Sequence, residues 1–255
     1  MFGPTVTNGA TLTRVGVPEF ELYYAAQHDC PAFYLQRQTQ FLIKYAFSKQ
    51  WMLMVGSNGL VRQNTQQGGA VDFADPQVTL KYLVQKPTAD GSAQALQFVY
   101  KAPFGDPARD INTGEPDYHL YWIYSRPLGE VNLDFNLWLS SVGADDGSRR
   151  LLVSESAALT VPISDNLSYQ GEVYHYGGNG PVESVVSTLH GLSWNVSRSV
   201  SLAVAVDVGL NANAPRISYI VGGAFHFGRG PKKGAQGAAG FNPIRPLPVG
   251  ASFLP

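Results

Sequence analysis

Any metal or acid–base chemistry in this chain would have to be built from its five histidines, His28, His119, His175, His190 and His226. None sits in an HExxH run, and no two share a ligand spacing with a carboxylate. His175 and His190 fall near Glu172 and Ser187, so a serine–histidine–carboxylate hydrolase, lipase-like in kind, could be assembled there in principle. No GxSxG, P-loop or dinucleotide fingerprint occurs. Residues 177–180, Gly-Gly-Asn-Gly, read as a loop tip with no following helix to cradle a phosphate. The single cysteine, Cys30, permits neither an internal disulfide nor a thiolate cluster. The expectation is no enzyme, no cofactor and no metal.

The more informative ionisable residues are those that repeat with a period of two. In residues 129–141, Val131, Leu133, Phe135, Leu137 and Leu139 share one parity, while Glu130, Asn132, Asp134, Asn136, Trp138 and Ser140 share the other. Side chains alternate across a strand, so this stretch has one apolar and one wet face. Elsewhere the same parity sets Glu19, Glu21, Gln36, Gln38, Gln40, Gln97 and Gln170 opposite apolar neighbours. Lys44, Lys81 and Lys101 would then form a positive patch, faced by Glu130, Asp134, Glu172 and Asp207, with His226 at the last strand's end. Such groups fit a hydrated lumen of mixed sign that selects weakly among solutes. They fit equally a set of buried polar groups that only satisfy one another.

Twelve strand-like segments between residues 17 and 227 must position these groups. Most are long enough for the roughly 9–11 residues of a tilted membrane strand. Connections alternate between short ones, around residues 48–49, 86–92, 127–129, 164–165 and 196–197, and longer ones at 27–32, 62–75, 103–117, 142–148, 177–182 and 211–215. That alternation predicts an all-β, transmembrane, antiparallel up-and-down barrel of about twelve strands, with short periplasmic turns and longer external loops. The stretch from 149 to 162 loses its parity near Glu155, which suggests a bulge. The 15 % of charged residues is low against roughly 25 % for soluble domains, and a mean hydropathy of −0.08 suits alternating faces that cancel. A net charge of −1 offers nothing to nucleic acid. No apolar run is long enough for a transmembrane helix.

A barrel of this size is narrow or partly plugged, by a loop or by residues 1–16, and the loops at 62–75 and 103–117 are long enough to fold over its mouth. Residues 1–16 read as a flexible lead-in, and residues 228–255, dominated by Gly and Pro, as a disordered tail. The lead-in lacks the basic start and apolar stretch of a signal peptide, which an exported barrel requires. A soluble β-sandwich or adhesin is the alternative that this lack favours.

Residues 75–85, DPQVTLKYLVQ, lead through an apolar strand to residues 102–106, APFGD. A long loop, a Tyr-rich strand and a closing strand ending in Phe227 complete the layout. This resembles the outer-membrane proteins of the meta-pathway of phenol degradation, a MetA-type transporter group. The resemblance implies a bacterial outer-membrane barrel that passes small, hydrophobic or aromatic, solutes. Its partners would be outer-membrane lipid, the solute and the barrel-assembly machinery.

Overall fold

The computed structural model describes residues 5–30, 32–66, 68–109, 111–144, 147–177 and 184–227. Fourteen strand segments follow in chain order: β1 Glu19–Cys30, β2 Phe33–Ala46, β3 Trp51–Ser57, β4 Leu60–Thr65, β5 Gly68–Phe73, β6 Pro76–Gln85, β7 Ala93–Lys101, β8 Asp117–Leu128, β9 Val131–Gly143, β10 Arg149–Pro162, β11 Leu167–Tyr176, β12 Val185–Asn195, β13 Val200–Gly209 and β14 Ile217–His226. A 3₁₀ turn at Pro107–Arg109 is the only helix among the described residues, and no helix there is long and apolar enough to cross a membrane.

All pairings are antiparallel, and β1 bonds to both β2 and β14, which closes the sheet into a barrel. The fourteen segments make twelve staves. β3 pairs with the second half of β2 and β4 with its first half, while β5 pairs with β4 and β6 with β3. So β3 with β4, and β5 with β6, are two strands each broken by a kink. The kink sits at Asn58–Gly59 and Ala74–Asp75, where the Ala74 N–H donates to the Gly59 carbonyl at 2.8 Å. The start of β1, the end of β14 and the connections 47–50, 86–92, 129–130, 163–166 and 196–199 lie at one end of the barrel, the turn end. The loop end carries the rest, including the long connection 102–116.

Three expectations need correction. Residues 27–30 are not part of a loop, because β1 runs on to Cys30, and β2 begins at Phe33. Residues 62–75 do not fold over the mouth but extend the wall as the β4–β5 hairpin. Nor is there a bulge at Glu155: β10 keeps an unbroken register with β9 and β11, and Glu155 simply points outward.

The alternation of side chains decides what faces where. Outward stand large apolar residues, among them Leu22, Ile43, Leu53, Val78, Leu80, Leu96, Phe98, Leu120, Leu139, Leu202 and Val204, each about half exposed. An apolar belt of this extent is stable only against an apolar medium. Trp51, Tyr82, Tyr118 and Tyr219 add aromatic rings to the same outer surface.

Gly59 and Gly129 both adopt left-handed backbone, with φ of +59° and +65°, but a Cβ on Gly59 would meet the Thr39 carbonyl oxygen at 2.0 Å while one on Gly129 meets nothing within 4 Å. Gly129→Ala therefore carries only the left-handed strain, about 1 kcal/mol. Gly59→Ala adds a backbone clash at the kink and should lose about 3 kcal/mol or more. Urea unfolding of the detergent-refolded barrel checks this, and equal losses would contradict the close approach at Thr39.

Candidate functional site: the barrel interior

The wet face of every strand lies inside. Lys44, Lys81, Lys101, Asp134, Glu172 and Asp207 are all buried there, as are Gln36, Gln38, Gln40, Gln97, Asn136 and Gln170. Glu130 is the exception among the predicted groups: it sits exposed in the two-residue turn between β8 and β9, one position before the alternation begins. His226 lies at the turn end, mostly buried.

Charge is compensated in three places. At the turn end, the Lys44 ammonium stands 2.5 Å from Glu21 Oε1 and 3.3 Å from Glu19 Oε1, while His226 Nδ1 lies 3.0 Å from Glu19 Oε2. These groups come from β1, β2 and β14, so the cluster ties the first strand to the last. At the loop end, Lys101 Nζ bridges Asp117 at 2.7 Å and Asp75 at 3.3 Å. The other Asp75 oxygen accepts the N–H groups of Phe104 and Gly105, each at 2.8 Å, and Asp117 accepts that of Gly143 at 2.9 Å. This holds the start of the long loop against the rim, not across it. His119 Nδ1 lies 2.7 Å from Ser140 Oγ in the same region.

The third place is the middle, and there the partner is the chain's own N-terminal segment. Residues 5–16, read from the sequence as a flexible lead-in that could plug the barrel, enter from the turn end, where 14–16 are exposed, and run inside, with Thr5, Val6, Thr7, Asn8 and Ala10 all buried. Gly16 anchors the segment at the turn end by donating to the Ala46 carbonyl at 2.8 Å. Further in, the Gly9 carbonyl accepts from Lys81, and the Ala10 N–H donates to Ser125 Oγ at 2.7 Å. Asn136 receives the Asn8 N–H on its carbonyl and returns its amide to the Asn8 carbonyl, both at 2.8 Å. Glu172 accepts the N–H groups of Val6 and Thr7 and the Thr7 hydroxyl, which also meets Ser156 at 2.8 Å. Inward of the Val15–Ala46 bridge, the segment thus has backbone polar groups met by wall side chains. Its residues are small, as a filled lumen demands.

Beside this segment lies an aromatic cluster that is also inward. Trp138 stacks on Tyr121 with ring centroids 5.0 Å apart and meets Tyr176 edge-on at 5.5 Å, and Tyr176 meets Tyr174 at 5.4 Å. Val6 and Ala10 pack into the same cluster with Leu83, Val99 and Ile123. The Tyr174 hydroxyl donates to Asp207 at 2.9 Å. The signal for the rings was their parity: Trp138 shares the face of Asp134 and Asn136, and Tyr174 that of Glu172.

The hydrolase arrangement does not assemble. Ser187 and Glu172 face the interior, whereas His175 and His190 stand on the outside of the same sheet. No group of three or more His, Cys, Asp or Glu side chains that could hold a metal occurs among the described residues. The tail expected at residues 228–255 lies outside the described residues.

No protein-family model and no curated protein matches the chain. Solved structures do match its fold. An outer-membrane channel from Pseudomonas putida F1 superposes with a TM-score of 0.63 at 16 % identity, over 86 % of this chain and 98 % of that one. The NanC porin gives 0.58 at 12 % identity over 80 % and 98 %. The KdgM porin, solved in complex with disordered oligogalacturonate, gives 0.57 at 12 % over 82 % and 99 %. What the chain shares with them is the closed twelve-stranded antiparallel barrel.

Because Glu172 takes three hydrogen bonds from the segment, each charge-assisted and worth about 1.5–3 kcal/mol, its loss should loosen residues 5–16 without opening the wall. In a Cys30→Ser background, a thiol placed at Ala10 should react with maleimide at least about tenfold faster once Glu172→Ala is added, the equivalent of about 1.4 kcal/mol. An unchanged rate would mean that Glu172 does not hold the segment.

Proposed function

We propose that this chain is a bacterial outer-membrane channel for small, hydrophobic or aromatic, solutes, closed at rest by its own residues 5–16. The observation that carries this reading is the kind of interior the barrel has. A wall that needed only to be stable would fill itself with apolar side chains. This one is lined by charged and amide side chains beside an aromatic cluster, and it is filled by a separate chain segment held through side-chain contacts. Moving that segment would leave a hydrated passage without breaking any hydrogen bond of the wall.

The outward apolar belt supports the membrane location, with outer-membrane lipid as the surrounding medium. The barrel-assembly machinery is the partner such a wall needs for insertion. The fold shared with an outer-membrane channel and two porins supports the channel class, and the layout resembling the meta-pathway group supports the solute class. Within the passage, Trp138, Tyr121, Tyr174 and Tyr176 would offer ring faces to an aromatic solute. Lys44, Lys81, Lys101, Asp134, Glu172, Asp207 and His226 would set a weak selection by charge.

Planar-bilayer conductance and liposome uptake test the proposal. The full chain should give small or rare conductance steps, and a variant lacking residues 5–16 should conduct several-fold more and admit a phenol faster than a sugar of similar mass. Absence of conductance from both forms in a correctly folded barrel would overturn it.

A further inference from the structure

One part of the outer wall is unlike the rest. On β10, β11 and β12, ionisable and hydroxyl side chains stand on the outward face, amid the apolar belt. Glu155 Oε1 lies 2.9 Å from His175 Nδ1. The Tyr169 hydroxyl lies 2.6 Å from His190 Nδ1, and Thr188 Oγ1 stands 3.4 Å from the other nitrogen of that ring. Glu155 and His190 stand mid-strand, the seventh of the fourteen residues of β10 and the sixth of the eleven of β12, while their partners Tyr169 and His175 are the third and ninth of the ten residues of β11. Leu151, Val153, Leu159, Leu192 and Val204, all exposed, surround them on the same face.

The register places Ala157 opposite Val173 and Gly171 opposite His190, between the two polar pairs. The patch is therefore also low in relief. The Tyr169 ring lies down over Gly171, where a Cβ would stand only 3.0–3.3 Å from its outer atoms. Nothing in the interior uses these groups, which point away from it. Ionisable side chains at the middle of a lipid-facing wall are destabilising unless something polar meets them.

We infer that the β10–β12 face is the contact through which two copies of this chain associate side by side in the membrane. The inference rests on the membrane reading above. Its support is charge complementarity within one patch. A carboxylate and two imidazoles make this face complementary to itself, so Glu155 of one copy can meet an imidazole of the other. Copies inserted in the same direction can form a closed pair only about a two-fold axis along the membrane normal, which sets each such patch against its twin. Ala157 lets the two walls approach closely, as small residues do between membrane segments, and the Tyr169 ring lying flat over Gly171 keeps the relief low beside it. A lipid phosphate on the imidazoles is the competing occupant, but it would leave Glu155 facing a like charge.

The test uses the full chain in proteoliposomes, with Cys30→Ser as background. Thiols introduced by Ala157→Cys or Val173→Cys should oxidise to a covalent dimer, and one introduced by Leu96→Cys on another part of the wall should not. Adding Glu155→Leu and His190→Leu should lower the dimer yield at least fivefold while the barrel keeps its heat-dependent gel mobility. Equal cross-linking at positions 157 and 96, or a correctly folded barrel that native mass spectrometry finds as a monomer, alone or with a retained lipid, would overturn the inference and leave the membrane reading standing. Loss of the heat-dependent mobility in the parent chain would instead remove the membrane reading itself.

Discussion

Everything in this structure depends on the pairing of β1 with β14. Ten residue pairs, from Glu19 with His226 to His28 with Ile217, join β1 to β14 and close the wall, and only β5, in the loop-end extension, pairs on one side alone among the described residues. With the main chain satisfied by its neighbours all the way round, the outer face can be apolar and the wall can lie in a medium without water. Glycine helps at this join. A Cβ on Gly222 would meet the Leu22 carbonyl oxygen at 2.2 Å, so the two strands approach here more closely than a larger residue permits. The Lys44, Glu19, Glu21 and His226 cluster lies on the inside of the same join and links three strands electrostatically.

Closure also explains the interior. A twelve-stranded wall encloses more space than its own side chains fill comfortably, and buried charge must be met by something. Here it is met partly across strands, as in Lys101 with Asp75 and Asp117, and partly by the backbone of residues 5–16. The two arrangements differ in what can happen to them. The bridges between wall residues keep their partners side by side as long as the wall is paired. The bonds to residues 5–16 can be exchanged for water or for a solute while the wall stays intact, which is the physical basis for reading this segment as the mobile part.

The alternation in the sequence was enough to assign faces wherever the strand crosses the apolar belt. Asp134, Asn136 and Trp138 in β9 and Glu172 and Tyr174 in β11 are inward for that reason. It fails where the wall rises beyond the belt. In residues 62–65 and 68–73 neither face has to be apolar, so Arg62, Asn64 and Asp72 hide a hairpin that still pairs fully. The same holds for Gln27, His28 and Asp29 at the end of β1. Glu155 breaks the apolar parity by being an outward carboxylate, which imitates a bulge in the sequence alone. Residues 5–16 carry no period at all, since they pair with no strand beyond Val15 with Ala46, and their contacts reach residues more than a hundred positions away. No local pattern could announce them.

The most direct test of the account is the response of the folded chain to heat in detergent. Refolded into micelles and run on a denaturing gel, the unboiled protein should migrate apart from the boiled one, because a sheet closed on itself resists the denaturing detergent until heated. A single mobility in both lanes, together with a cooperative melt in plain buffer without detergent, would contradict the closed membrane wall from which the rest is derived.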